Sequence, residues 1–356
     1  MAAAHPHIIC AVRPAPSIDP ISDPAWRTLI EGSRSATIFH HPLWLQLLRS
    51  QYGYELSACC VQDGNGIEAG IPIARIESRL TGQRLVSLPF SDACAPVLAP
   101  AADPSAAAAL SEALTEEHRR RGLDLTVRAS IPNAPGAFVQ HRFYRHLLPL
   151  ADDPAEVERL YSKSQIKRGI KKARREGLRA ERRADAEALD VFYSLHLQTR
   201  KKLGVPTQPK RFIRRFGELF DAGLGFVELV LDDARPIAAA VFLTYNGTVT
   251  YKYGASDARA LGKRPNNLLF SELIHWACEA GFHTLDFGRT DIDNEGLRAF
   301  KRSWGAEEVE LSYTYFADHA PSPEPKLRDR AMAATIKHSP PGVSRLVGEA
   351  LYRHFG

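Results

Sequence analysis

Between Leu285 and Ala306 the chain reads LDFGRTDIDNEGLRAFKRSWGA, crowding Asp286, Arg289, Asp291, Arg298 and Lys301 into one short segment with Trp304 beside them. A carboxylate can take a proton from an attacking group. A guanidinium or ammonium can hold an anion or polarise a carbonyl oxygen. Alternation along LDFG sends Leu285 and Phe287 to one face of a strand and Asp286 to the other. Arg289 and Asp291 then fall at the carboxyl end of that strand, where open α/β sheets hold ligands. An Asp286–Arg289 ion pair that merely pins the loop fits the spacing equally well. Over 295–305 a helix places Leu297, Phe300 and Trp304 on one apolar face. Asp293 or Asn294 can cap it and Gly305 can end it. Lys301 sits at the margin of this face. From there it either snorkels to water or reaches an anion or carbonyl.

A second group lies upstream, in YKYGASDARALGKRPNN (251–267). Pro265-Asn266-Asn267 opens a helix whose free N–H groups suit a phosphate, and Arg259, Lys263 and Arg264 precede it. A solvated basic loop is the plainer reading. Leu269, Leu273, Trp276 and Ala280 form the buried stripe of this helix, which leaves His275 at the surface. Tyr251 and Tyr253 fall on one face of the preceding strand, where a phenol donates a proton or packs in the core. Residues 163–183 hold ten Lys/Arg against two Glu. That excess suits a polyanion, although the lack of interleaved aromatics argues against stacked single-stranded nucleic acid.

These groups sit on a chain that repeats itself. VQDGNGIEAGIPIARI (61–76) and VLDDARPIAAAVFLTY (230–245) each read as strand, turn, strand. SLPFSDACAP (87–96) and YKYGASDARA (251–260) each end a strand with Ser-Asp-Ala. A helix follows in each copy, over 104–121 and 265–280, stopped at Gly122 and Gly281. A further strand follows, over 123–130 and 282–290. Asn246-Gly247 marks a hairpin turn. The order implies a duplicated α/β (α+β) unit, each copy a mixed, mostly antiparallel sheet flanked by helices. The first copy is expected over 1–150 and the second over 151–318. A Pro-rich link and basic helical tail fill 319–356.

With 356 residues, 44% hydrophobic, 24% charged and a net charge of +5, the composition is that of an ordinary globular protein. The five cysteines form no CxxC pair and no zinc-like spacing with histidine, so no metal is expected. Cys59 and Cys60 should point to opposite faces of a strand. No signal peptide or membrane-spanning run is evident, and a soluble, cytoplasmic protein is expected.

YKYGASD…PNNLLFSELIHWA…LDFGRT…GLRAFKRSWG resembles the FemAB-like branch of the GNAT (Gcn5-related N-acetyltransferase) superfamily, most clearly over about 160–317. FHHPLWLQLLRSQYGYEL and SLPFSDACAP resemble the entry segments of a companion GNAT-like domain, and tandem GNAT-like domains are what this resemblance implies. It also implies acyl transfer to an amine by direct attack, with acyl-coenzyme A as donor. The acceptor expected is an amino sugar or another cell-envelope or exopolysaccharide precursor. The donor is implied near Tyr253, Gly254 and Ala255, with phosphates near Arg259, Gly262, Arg264, Asn266 and Asn267. Asp286 or Asp92 is assigned to the amine proton, and Lys301 and Arg289 to anionic groups. Tyr253 is a candidate proton donor, while Asp291, Trp304 and Arg298 are placed on the substrate side. Where a classical coenzyme A loop ends in a small residue, Arg264 stands here. An aminoacyl-tRNA donor bound along 163–183 is therefore the alternative, and a noncatalytic module binding a glycan phosphate or nucleic acid is a third.

Overall fold

A computed structural model describes residues 12–79, 81–320, 348–349 and 352–354. The Pro-rich link and most of the expected helical tail lie outside the described residues. In the first half come β1 (Arg13–Pro14), α1 (Pro24–Gly32), α2 (Pro42–Tyr52), β2 (Glu55–Gln62), β3 (Ile67–Ser78), β4 (Gly82–Val86), β5 (Val97–Leu98), α3 (Ala106–Arg121), β6 (Leu125–Val127) and β7 (Phe138–Pro149). The second half comprises α4 (Pro154–Leu160), α5 (Arg168–Arg175), β8 (Arg179–Arg183), α6 (Ala186–Leu203), α7 (Lys210–Arg214), α8 (Phe216–Asp221), β9 (Gly225–Asp232), β10 (Arg235–Tyr245), β11 (Thr248–Ser256), α9 (Pro265–Glu279), β12 (Thr284–Asp291), α10 (Glu295–Arg302) and β13 (Glu307–Phe316).

The local signals act as their chemistry requires. Proline opens α1, α2, α4 and α9, where its missing N–H costs nothing. The Asp63 carboxylate accepts the N–H groups of Asn65 and Gly66 and closes the β2–β3 turn. Asn246 and Gly247 take φ of 48° and 68°, the twist a two-residue hairpin needs. Cys59 and Cys60 do face opposite sides of β2, each packed in a different cluster.

The echo is real at the level of topology. In the first half β4 and β6 pair in parallel across α3, and in the second β11 and β12 pair in parallel across α9. The other strand pairings are antiparallel. The repeat does not foretell how the copies join. One sheet runs β1-β2-β3-β4-β6-β13-β7-β12-β11-β10-β9-β8. The last strand of the second half, β13, inserts between β6 and β7 of the first, and β7 reaches across to β12. The copies therefore share their central strands by exchange.

Side chains seal the same junction. Trp44 and Leu48 of α2 join Phe212, Phe216 and Phe220 in a single buried cluster, with the Trp44 and Phe216 rings stacked 6.1 Å apart. A second cluster lies on the opposite face of the β9–β12 strands, under α5 and α9.

A fragment ending at residue 150 would leave β6 without its β13 partner and β7 without both neighbours. Such a fragment is expected not to melt cooperatively when followed by circular dichroism. A sharp unfolding transition would contradict the shared-sheet account.

Candidate active site

β11 and β12 pair at only three positions, the last being Thr250 with Asp286. Beyond that point they separate, and each carries an irregularity just past the parting. On β11 the register with β10 slips between Tyr251 and Tyr253, leaving Lys252 as the extra residue. On β12 the register with β7 slips between Asp286 and Arg289, and Gly288 lies there at φ 70°. A bulge re-aims the side chains that follow it. Tyr251 accordingly packs with the α9-side cluster and Tyr253 with the α6-side cluster. The expectation that the two phenols share a face fails because the bulge breaks the two-residue alternation.

The parting opens into a cleft of about 560 Å³ bounded by the end of α6 (Gln198, Thr199, Lys202, Leu203) and by α9. Its walls include Ala239, Ala240, Leu269, Phe270, Leu297 and Phe300, with Gly254, Ala255, Arg259 and Asn266 at its floor and mouth. Tyr251, not Tyr253, lines it. A Cβ on Gly254 would collide with the Tyr251 hydroxyl, and burial pushes that phenol up to about 12. Tyr253 is stacked 6.1 Å from Phe216, with its hydroxyl pushed well above the usual phenol range by burial.

A second recess of about 590 Å³ adjoins the cleft, sharing Leu261, Asn266 and Phe300 with it. Arg168, Lys172, Arg264 and the first turn of α9 line it. Arg264 takes φ 65° immediately before Pro265. Asn267 is largely committed to structure, donating to the Gln165 carbonyl at 3.2 Å and pressing against Gly169. Asn266 accepts from Ser256 Oγ at 2.7 Å. Arg259 is paired with Asp257 at 3.0 Å and Lys263 with Asp232 at 2.6 Å. Gly262 stands in open space.

The acidic and basic residues of 286–301 gather on β12 and behind it. Asp286 is held by Arg145 from β7, at 3.0 and 2.7 Å to Oδ2, while its Oδ1 accepts the Gly288 N–H at 2.8 Å. Its partner is thus Arg145 rather than Arg289. Lys301 is buried and donates to the carbonyl oxygens of Gly288 and Arg289 at 2.9 and 3.1 Å. Those two bonds leave one ammonium proton unspent. Burial lowers its pKa to about 8 against the opposing pull of Asp92, Asp286 and Asp291.

Trp304 is fully buried under α9 between Tyr161 and Phe270, so packing, not a substrate, takes its ring. Arg298 is forked onto Glu308 at 2.9 and 2.7 Å. Asp291 lies exposed at the end of β12. Neither the cleft nor the basic recess is lined by Arg289 or Lys301.

Asp92 reaches this centre from the first half. Its Oδ2 accepts the Arg289 N–H at 3.3 Å and would collide with any Cβ on Gly288. Tyr313 of β13 accepts from Arg289 Nη1 at 2.7 Å and donates to the Asp92 carbonyl at 2.7 Å. Lys252 donates to the Phe90 carbonyl and lies 4.9 Å from the Tyr253 ring. Burial alone would raise the Asp92 carboxyl, but Lys252, Arg289 and Lys301 together hold it below the usual range. The loop bearing it is strained, with Leu88 and Phe90 at φ 66° and 62°, values rare outside glycine.

Arg128, Arg145, Lys252 and Tyr313 escaped the sequence reading. Each lies in a strand or just past one, with nothing in its local pattern to separate it from an ordinary surface residue.

In the first half the equivalent gap past β4 and β6 is closed. Ser87 Oγ accepts the Arg128 N–H at 2.8 Å and donates to the Cys94 carbonyl at 3.3 Å, while Cys94 N donates to the Arg128 carbonyl.

Residues 161–302 match the family model of the acetyltransferase (GNAT) domain. Three solved structures share the fold at low identity. FemX is 15% identical over 82% of this chain and 95% of its own, with a TM-score of 0.64. The C-terminal domain of a putative lysylphosphatidylglycerol synthetase from Agrobacterium fabrum is 14% identical over 82% of this chain and 92% of its own, with a TM-score of 0.55. A tandem GNAT protein from the clavulanic acid biosynthesis pathway is 16% identical over 88% of this chain and 100% of its own, at 0.50. No curated protein matches by sequence. The chain shares the fold of these structures. Among the described residues, no helix is long and apolar enough to cross a membrane.

Gly288→Ala is expected to cost about 1–3 kcal/mol from backbone strain alone, and to displace Asp92 as well. Chemical denaturation would read the loss, and an unchanged midpoint would contradict the close approach of Asp92 to β12.

Proposed function

Taking this chain as a GNAT-type acyltransferase of FemAB-like architecture, we propose that it moves an acyl group from coenzyme A to an amine by direct attack. The amine belongs to an amino sugar or another cell-envelope or exopolysaccharide precursor. The supporting observation is the division of space at the parted strands. An apolar cleft that runs into a cationic recess at a helix N-terminus lies on one side, and a charged centre lies on the other.

The residues fit the donor. An acyl chain and its pantetheine arm suit the apolar walls, and phosphates suit Arg168, Lys172, Arg264 and the α9 N-terminus. Of the positions expected to hold phosphate, Arg264 and Asn266 face the recess, while Arg259 and Lys263 are spent on nearby carboxylates. The donor supplies an activated carbonyl. The β11–β12 ladder ends at Thr250, and past it the Ser256 N–H donates to Thr199 Oγ1 at 3.2 Å, so the N–H left to stabilise developing negative charge is that of Gly254.

Asp92 rather than Asp286 is the group for the amine. Asp286 has both oxygens committed to Arg145 and Gly288. Asp92 stays ionised and faces the centre, where it can hold an incoming ammonium and receive its proton. Lys301 fixes the backbone of Gly288 and Arg289 and keeps one proton to spend on an oxyanion or anion.

A second reading, an aminoacyl-tRNA donor, draws on the exposed cationic face beside the recess. Lys163, Lys167, Lys171 and Arg175 form no ion pair with a described residue.

Differential scanning calorimetry with acetyl-coenzyme A, longer acyl-coenzyme A and charged tRNA separates the readings. A true donor at a hundredfold over Kd stabilises by about 2.7 kcal/mol. A shift with charged tRNA alone would replace the leading proposal by the second. Replacing Lys301 with methionine is expected to lower kcat by about 10²-fold, and retained turnover would remove it from the mechanism. Its pKa falls from 10.5 to about 8 on burial, so the ammonium prevails below pH 8 and the amine above. Turnover should therefore decline as pH rises past about 8. A profile still climbing at pH 9.5 would show that this charge is not used.

A further inference from the structure

The charged centre is out of balance. Arg128, Arg145, Lys252, Arg289 and Lys301 share it with only two enclosed carboxylates, Asp92 and Asp286. Arg145 and Asp286 satisfy each other, and Lys301 is turned onto backbone carbonyls. That leaves Arg128 and Arg289 around the single carboxylate of Asp92, with Lys252 beside them donating to the Phe90 carbonyl. Like charges gathered in a half-buried site repel at short range, and a bound anion relieves that repulsion.

The donors are also underused. Arg289 gives Nη1 to Tyr313 and lies over the Phe143 ring at 4.4 Å. Its Nε stands 3.6 Å from Asp92 Oδ1, too far for a hydrogen bond. Among the described residues its Nη2 has no acceptor. Arg128 spends Nη1 on the Ser91 carbonyl, and its Nε and Nη2 have none either. The site is reached by solvent, since the Arg289 and Asp92 side chains remain 36% and 27% exposed. The two guanidinium groups come from different halves of the molecule, and Tyr313 of the exchanged strand β13 tethers one of them.

We infer that Arg128, Lys252 and Arg289 form a subsite for an anionic group, carboxylate or phosphate, carried by the acceptor close to its amine, which Asp92 receives. This rests on the acyl-transfer reading above for the identity of the ligand as acceptor, and narrows it. The substrate is zwitterionic at the reacting end, as an amino acid or a phosphorylated amino sugar would be. An acceptor with an isolated amine would bring nothing to balance the three cations.

The test needs no acyl donor, so it can fail or succeed independently of acyl transfer. Inorganic phosphate and, separately, acetate are titrated into the full-length chain by calorimetry in chloride-free buffer. The same is done for Arg128→Gln, Arg289→Gln, Arg264→Gln and Asp92→Asn. Each of Arg128→Gln and Arg289→Gln should weaken the anion by about tenfold or more, whereas phosphate held instead in the helix-end recess would be lost in Arg264→Gln. Asp92→Asn removes the internal competitor and should tighten binding, a gain that misfolding cannot mimic. Whichever of phosphate or acetate responds names the source of the charge. The inference is overturned if neither anion binds, if binding is lost in Arg264→Gln alone, or if Asp92→Asn does not tighten it.

Discussion

The separation of β11 from β12 beyond Thr250 and Asp286 is the constraint on which the rest of the molecule depends. Two neighbouring strands that stop pairing expose peptide groups that cost free energy unless something else occupies them. The protein meets that cost from outside the unit. A carboxylate on a strained loop of the first half enters the gap at Gly288, the one residue type that leaves room for it. Once Asp92 is there, Lys252, Arg289 and Lys301 share one counter-charge, which offsets their mutual repulsion in part.

The two bulges follow from the same requirement. A regular β11 would put Tyr251 and Tyr253 on one face and send Lys252 to the other. The extra residue instead turns Lys252 toward the first half and gives each phenol to a different core. On β12 the irregularity turns Asp286 toward Arg145 and sets the Arg289 backbone against Asp92. Each irregularity weakens a ladder locally and aims a charged side chain that regular pleating would misdirect.

Strand exchange makes the arrangement rigid. Because β13 lies between β6 and β7, and β7 beside β12, the halves cannot separate without breaking central ladders. Tyr313 sits on that exchanged strand and bridges Arg289 to the Asp92 backbone, so the geometry of the charged centre is tied to the continuity of the sheet. The two copies differ at the equivalent gap. The gap in the first is filled by its own 87–96 segment, and that same segment supplies the carboxylate for the gap in the second.

The sequence by itself determined the elements and their order. Turn residues, helix caps and the repeated strand–helix–strand pattern are local features, and local chemistry writes them legibly. It also located Asp286, Arg289 and Lys301 in one segment and the helix end at Pro265–Asn267, because both lie within a few residues along the chain. Only the tertiary structure decided who their partners are. Arg145 takes Asp286, Asp92 meets Arg289, and Trp304 goes to the core, through contacts that link residues more than a hundred positions apart or depend on which face a bulge turns. Side-chain alternation can be read from a sequence only while the pleat stays regular, and one inserted residue at Lys252 reverses it.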